Sequence, residues 1–186
     1  MSDKNTFDRR LFLKLGLACA ATLAFPVSGW AQFKNARSRE KTLSFYNTHT
    51  GEELKNVVFW ADGRYLPETM RDINYLLRDF RNNETADIDP LLCDQLFSVR
   101  QKLGTDRPFH IISGYRSPET NSMLRSRSSG VAKKSLHLVG RAVDVRVPGS
   151  HLVDLRKAAL ALEAGGVGYY PTSNFVHLDT GPVRRW

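Results

Sequence analysis

The alternation of hydrophobic and polar positions along the chain predicts a mixture of short strands and helices. Strand periodicity or a short apolar run marks six segments, at residues 42–46, 57–60, 109–112, 142–147, 167–170 and 175–179. Helical spacing, capping residues and N-terminal prolines predict four helices, at residues 67–81, 90–103, 118–127 and 151–164. We therefore expect a single α+β domain in which helices flank an antiparallel sheet.

The N-terminal segment follows a different pattern. A twin-arginine pair, Arg9-Arg10, precedes an apolar run over residues 15–25 and small residues that end at Ala31. This order is typical of a secretory signal, and the apolar run is too short to span a membrane. Paired arginines favour the bacterial Tat route. We expect a Tat-type signal peptide at residues 1–31, cleavage after it, a periplasmic location and one domain at residues 32–186.

Charge and cysteine content limit the possible partners. The chain has a formal net charge of +8, and residues 1–31 hold four basic and two acidic side chains, so the domain alone has a charge of +6. An exported basic domain suits an anionic polymer of the cell envelope, whereas its scattered basic residues predict no nucleic-acid partner. Cys93 is the only cysteine after residue 31, so an intrachain disulfide is excluded from the domain.

One short stretch places a histidine and an aspartate on either side of a glycine. A helix would separate His137 from Asp144 by about 10.5 Å along its axis, too far to share one ion. A turn at Gly140 would bring them together. The alternate valines of the strand at 142–147 put Asp144 on the face opposite the core. We therefore predict that these two side chains are part of a metal site.

The last predicted strand, at residues 175–179, supplies the missing ligand. His177 and Asp179 are two positions apart, so they share one face of this strand, opposite two aliphatic residues. Two imidazoles and a carboxylate, from His137, Asp144 and His177, suit one Zn²⁺ ion with its fourth position open. An open position is typical of a catalytic zinc site rather than a structural one.

An arginine completes the predicted chemistry. Arg116 follows the strand at 109–112, at a corner where its guanidinium can project into a cleft. Zinc lowers the pKa of a bound water and polarises a carbonyl, and the arginine would face the oxyanion that develops as an amide is hydrolysed. Each of these residues also has a structural interpretation when taken alone. Their combination predicts amide hydrolysis.

The pattern Ser135-x-His137-x-x-Gly140-x-Ala142-x-Asp144, with His177 later in the chain, resembles the zinc D-Ala-D-Ala peptidase family. The stretch Ser113-Gly114-Tyr115-Arg116-Ser117 is similar to the substrate-side motif of that family. Its fold is shared with the hedgehog signalling domain and the lysostaphin-type enzymes. Within it, the chain is most similar to the YcbK-like subgroup of murein L,D-endopeptidases, and the resemblance covers essentially the whole chain.

The resemblance implies a hedgehog/DD-peptidase-like fold and a zinc endopeptidase that hydrolyses peptide cross-links of peptidoglycan. The expected bonds are 3–3 links between two diaminopimelate residues, cleaved during cell wall growth. One Zn²⁺ per chain would be held by His137, Asp144 and His177, and Arg116 and Ser135 would contact substrate. Two alternatives stay open: a carboxypeptidase that removes a terminal D-Ala, and a peptidoglycan-binding module without turnover.

The general base is the part of the family pattern that this chain does not supply. Many relatives carry an acid three residues before the last ligand, or a histidine two before it, and here these positions are Asn174 and Phe175. Asp179 is either the base or a group that orients a ligand imidazole. His110 is a further alternative for the base.

Overall fold

The computed structural model describes residues 40–128 and 130–186, so the predicted signal peptide at residues 1–31 and its cleavage site lie outside the described residues. Within these residues, the sheet contains eight strands: β1 (Glu40–Asn47), β2 (Glu53–Ala61), β3 (Arg64–Tyr65), β4 (Phe109–Ser113), β5 (Ala142–Arg146), β6 (Gly166–Tyr170), β7 (Phe175–Asp179) and β8 (Arg184–Arg185). The helices are α1 (Pro67–Leu76), α2 (Pro90–Leu103), α3 (Pro118–Arg127) and α4 (Leu152–Leu160), with a short 3-10 helix at Leu136–Val139.

The sheet has the strand order β3-β2-β1-β4-β5-β7-β6-β8. The expected α+β class is confirmed, and the strand pairs around the predicted site, β4–β5, β5–β7 and β6–β7, are antiparallel as expected. Two pairs differ: β1–β4 and β6–β8 are parallel, so the sheet is mixed. A parallel pair needs a long connection, and α1 and α2 provide it between β1 and β4.

Helix boundaries follow the predicted caps where local sequence decides them. The Asp89 side chain accepts a hydrogen bond from the backbone N–H of Leu91, and Gly104 ends α2 with a φ of 61°. Helix α1 ends at Leu76 and not at residue 81. Tertiary hydrogen bonds explain the earlier end, because the Leu77 carbonyl accepts from the Tyr115 N–H at 2.8 Å and the Asp79 carboxylate accepts from the Ser117 N–H at 2.9 Å.

The two faces of the central strands have different roles. Val143, Val145, Val176 and Leu178 of β5 and β7 belong to one buried apolar cluster with residues of the helices, among them Cys93. Residues between them in sequence point to the other face of the sheet. That face carries the polar side chains of the predicted site. None of the helices at residues 40–128 and 130–186 has the length and apolarity needed to cross a membrane.

Candidate metal centre

The register of two antiparallel strands places two of the predicted ligands side by side. Asp144 on β5 is directly opposite His177 on β7. Directly opposite residues of an antiparallel pair have their side chains within contact distance. Both are almost fully buried, with 3% and 9% of their surfaces exposed. The strand-face prediction for these two residues is therefore confirmed.

The third predicted ligand, His137, lies in the 3-10 helix just before β5. Ser135 caps this helix, because its Oγ accepts a hydrogen bond from the His137 N–H at 3.3 Å. Gly140 ends it with a φ of 66°, and a Cβ at this position would collide with the Asp87 carbonyl oxygen. The predicted turn at Gly140 is confirmed, and it needs glycine both for its backbone conformation and for space.

The three ligand atoms form a compact triangle. His137 Nε2 is 3.3 Å from Asp144 Oδ1, and His177 Nδ1 is 2.8 Å from the same oxygen. The two ring nitrogens are 3.2 Å apart. Zinc with bonds of about 2.0–2.1 Å requires ligand atoms about 3.3 Å apart in a tetrahedral site. Two of the three distances match this spacing, and that between His177 Nδ1 and Asp144 Oδ1 is about 0.5 Å shorter, so the donor set fits zinc in chemistry and nearly in size.

Hydrogen bonds on the outer edges of both imidazoles determine which nitrogen faces the triangle. His137 Nδ1 is 2.7 Å from the Gly114 carbonyl, which can only accept, so Nδ1 carries the proton. His177 Nε2 is 3.0 Å from Asp179 Oδ2, which accepts a hydrogen bond from the Nε2–H. Each neutral ring therefore presents a lone pair toward Asp144. Three electron-donor atoms that converge in this way could hold a metal ion.

Arg116 holds the other side of the Asp144 carboxylate. Its Nη2 donates to Asp144 Oδ2 at 2.6 Å, and its Nε donates to Ser113 Oγ at 2.9 Å. Oδ1 is therefore left to face the two histidines. Arg116 also lines the cavity beside the triangle.

Burial and charge shift the pKa values of the three predicted ligands in different directions. Burial alone would raise the pKa of Asp144, but the nearby His137 and His177 lower it well below its usual range. Burial lowers the pKa of His137 below its usual value, against the attraction of Asp144. Burial also acts to lower the pKa of His177, but its hydrogen bonds to Asp144 and Asp179 raise it above the usual value.

Asp179 is fully buried behind the His177 ring. Its Oδ1 accepts hydrogen bonds from the Gly166 N–H at 3.0 Å and the Gly181 N–H at 2.8 Å. Arg184 donates to both of its oxygens, at 3.0 Å to Oδ1 and 2.6 Å to Oδ2. Burial would raise the pKa of Asp179, but the hydrogen bonds from His177, the two glycines and Arg184 together hold it well below its usual range.

A cavity of about 370 Å³ opens in front of the three predicted ligands. Its described lining residues are Arg116, Ser128, Gly130, Val131, Ala132, Lys134, Ser135, Leu136, His137, Asp144, Tyr170, Ser173, Phe175, His177, Arg184 and Trp186. The only acidic or imidazole side chains in this described lining are the three ligands themselves.

Neither Asn174 nor His110 lines this cavity. Asn174 lies in the turn before β7, with a φ of 54°. His110 packs against Tyr46, with the ring centroids 4.9 Å apart. Of the residues considered as a base, Asp179 is the one that contacts the predicted ligands, and it does so through His177.

Sequence reasoning missed three residues that line the cavity together with His177. The Trp186 ring centroid lies 5.3 Å from that of His177, and the indole Nε1–H donates to the Tyr170 hydroxyl at 2.7 Å. Arg184 donates a hydrogen bond to Asp179, which in turn accepts one from His177. No periodicity or spacing marks these residues, because they are brought together by the parallel pairing of β8 with β6.

Comparisons with known proteins identify the family of the chain. A model of the family described as peptidoglycan L,D-endopeptidase MepK matches residues 35–186. The peptidoglycan L,D-endopeptidase MepK of Escherichia coli (strain K12) is 48% identical over 185 residues, which are 99% of this chain and 100% of that protein. The Shigella flexneri protein of the same name has the same identity and coverage.

A more distant relative gives the same result. The probable peptidoglycan L,D-endopeptidase MepK of Haemophilus influenzae is 40% identical over 180 residues, which are 96% of this chain and 95% of that protein. The resemblance to zinc D-Ala-D-Ala peptidases and their murein L,D-endopeptidase subgroup is therefore confirmed. The chain belongs to the peptidoglycan L,D-endopeptidase MepK family, a family of peptidases.

Proposed function

We propose that the protein is a zinc-dependent endopeptidase that hydrolyses peptide cross-links of peptidoglycan, in particular 3–3 links between diaminopimelate residues. The observation that carries the proposal is the triangle of His137 Nε2, Asp144 Oδ1 and His177 Nδ1 at the base of an open cavity. The names of the similar proteins support the substrate and the bond type.

The proposed cofactor is one Zn²⁺ per chain, held by His137, Asp144 and His177. When bound there, zinc would polarise a peptide carbonyl and lower the pKa of a water molecule. The chain supplies the orientation of the ligands, through the Gly114 carbonyl on one ring and Asp179 on the other. Such outer contacts raise the basicity of the ligands and fix their rings for metal binding.

Arg116 is proposed to act both on a ligand and on the substrate. It donates a hydrogen bond to Oδ2 of Asp144, and it is one of the residues that line the cavity. A cation at this position stabilises negative charge that develops on a peptide oxygen during hydrolysis. Ser135 also lines the cavity, and we propose that it contacts the peptide in addition to capping the 3-10 helix.

Asp179 is proposed to be a positioning residue rather than the general base. A general base must come within hydrogen-bonding distance of the proton that it removes. Asp179 has no exposed surface and contacts the edge of the His177 ring that points away from the other ligands. Its lowered pKa also makes it a weak proton acceptor at neutral pH. These contacts support the orienting role.

The charge of the cavity wall supports an anionic peptide as substrate. Three cationic side chains, Arg116, Lys134 and Arg184, line the cavity, and Asp144 is the only acidic one in the described lining. The peptides of peptidoglycan carry free carboxylates, which such a wall attracts. The location that we propose is the periplasm, with the Tat-type signal at residues 1–31 directing export.

The test is the identity of the products from purified peptidoglycan. Digestion with the zinc-loaded protein, followed by mass spectrometry, should show 3–3 cross-linked dimers split into monomers, and a chelator should prevent this. Loss of a single alanine from each peptide would instead show a carboxypeptidase. Binding to the wall without any new peptide terminus would show a non-catalytic binding module.

A further inference from the structure

We propose that Arg184 is a positioning residue for the metal centre, which acts on His177 through Asp179. This inference rests on the proposed zinc site and extends it to a residue outside the ligand set. Arg184 lies on β8, at the edge of the sheet, whereas His177 lies on β7. The connection between them runs through the single carboxylate of Asp179.

The two oxygens of Asp179 are held by different groups. Oδ1 accepts from the Gly166 and Gly181 amides and from Arg184 Nη1, so it keeps two partners without the arginine. Oδ2 accepts from His177 Nε2 and from Arg184 Nη2, at 3.0 Å and 2.6 Å. Among the described hydrogen bonds, Arg184 is thus the only group besides His177 that fixes Oδ2.

The position of Oδ2 determines how His177 presents itself to the site. An imidazole that donates from Nε2 to a fixed carboxylate is held in one tautomer and one ring orientation. Its Nδ1 then faces Asp144 Oδ1 and His137 Nε2, at 2.8 Å and 3.2 Å. A freely rotating Oδ2 would leave both the ring and its tautomer less restricted. Arg184 therefore acts on the metal ligand without touching it.

The guanidinium is itself held in place. Its central carbon lies 5.1 Å from the Trp186 ring centroid, and the same indole packs beside His177. Gly168, which is opposite His177 in the strand register, leaves the space for this indole, since a Cβ there would approach it to 2.7 Å. Trp186 thus packs against both Arg184 and His177, so the arginine and the imidazole share one neighbour.

The exposure of Arg184 distinguishes a role in metal binding from a role in folding stability. The Arg184 side chain is 42% exposed, and the buried Asp179 carboxylate keeps its hydrogen bonds from Gly166, Gly181 and His177 when the arginine is removed. Loss of Arg184 should therefore alter metal binding more than unfolding. Groups that contact a metal ligand directly change metal affinity by about 10-fold to 100-fold, and Arg184, which is one contact further out, should have an effect at the lower end of this range.

The experiment compares zinc affinity, measured by chelator competition, among variants of the full protein. Arg184→Gln should weaken zinc binding by about tenfold and change the visible absorption bands of the Co²⁺-substituted protein. Arg184→Lys should recover part of the affinity, because an ammonium can hold Oδ2 but not both oxygens. Arg185→Gln is the matched control, an exposed arginine on the same strand, and it should leave both readouts at the parent value.

A double variant tests whether the effect passes through Asp179. Asp179→Asn with Arg184→Gln should bind zinc no more weakly than Asp179→Asn alone, since the arginine has then lost its target. Additive losses would overturn the proposal. So would an Arg184→Gln protein with zinc affinity within about twofold of the parent and an unchanged Co²⁺ spectrum.

Two further outcomes are also decisive. If Arg184→Gln does not fold, Arg184→Met decides by the same criterion, because it keeps the aliphatic stem but has no hydrogen-bond donor. Weakened zinc binding would support the proposal, and parental binding would overturn it. If the parent protein itself binds no zinc tightly, the proposed function and this inference fail together. A parent that binds zinc and an Arg184→Gln variant that binds it equally well overturn this inference alone.

Discussion

Arg116 donates to Oδ2 of Asp144 at 2.6 Å, and this leaves Oδ1 of the same carboxylate as the atom that faces both histidines. The pair is nearly buried, with side chains 12% and 5% exposed. Breaking a buried ion pair by removing one partner costs about 3–5 kcal/mol, because the other charge is left without compensation. A cation of the cavity wall and a proposed metal ligand are therefore coupled.

Replacement of Arg116 by alanine should lower both the free energy of unfolding and the affinity for zinc. Without the guanidinium, Oδ2 loses its partner and Oδ1 is no longer fixed toward the histidines, so zinc affinity should fall about 10-fold or more. Chelator competition and thermal unfolding measure the two effects. Ser113→Ala is the control, since it removes only the acceptor of Nε. Parental zinc affinity in Arg116→Ala would contradict this account of Asp144.

Zinc affinity should rise with pH across and above the usual histidine range. A ligand imidazole must lose its proton before it binds metal, and the pKa of His177 in the metal-free protein is raised above 6.5. Below that raised pKa, a proton on His177 competes with zinc, so affinity should fall about tenfold for each unit of pH. Chelator competition from pH 6 to 8 measures this slope. An affinity that is constant above pH 6.5 would show that the pKa of His177 is not raised.

The metal-free protein should lose stability in acid, and Asp179 should contribute to the loss. The folded-state pKa of Asp179 is lower than the ordinary value of 3.8. A depressed pKa contributes stability that is present above the unfolded value and is lost as pH falls through the folded one. Denaturant unfolding between pH 5 and pH 2 should therefore show a shallower decline for Asp179→Asn than for the parent. Identical slopes would mean that this carboxylate is not stabilised by folding.

Gly140→Ala should be more damaging than Gly104→Ala, although the two glycines have similar positive φ values of 66° and 61°. At Gly104 a Cβ meets nothing within 4 Å, so alanine should cost about 1–2 kcal/mol from backbone conformation alone. At Gly140 the collision with the Asp87 carbonyl should bring the cost to roughly 2–4 kcal/mol. Equal losses in denaturant unfolding would show that the backbone at Gly140 relaxes freely.

The structural features that could be predicted from the sequence are those that depend on local patterns. Alternation along β5 and β7 identified the face that carries Asp144 and His177, and the turn at Gly140 accounted for His137. The predicted end of α1, at residue 81, was wrong because the observed end depends on tertiary hydrogen bonds, such as that between Leu77 and Tyr115.

The contacts behind His177 were not predictable for a related reason. Arg184 meets Asp179 because β8 pairs in parallel with β6, and no spacing between the two residues indicates that pairing. The Gly114 carbonyl that orients His137 is a backbone atom, so residue identity carries no sign of its role.

Cleavage of a purified 3–3 cross-linked muropeptide dimer, followed by mass spectrometry, tests the central claim most directly. The parent protein, loaded with about one zinc per chain, should split the dimer into monomers. His137→Ala, which removes one of the three ligand atoms, should not split it. Undiminished cleavage by a folded His137→Ala protein would contradict the proposed metal centre.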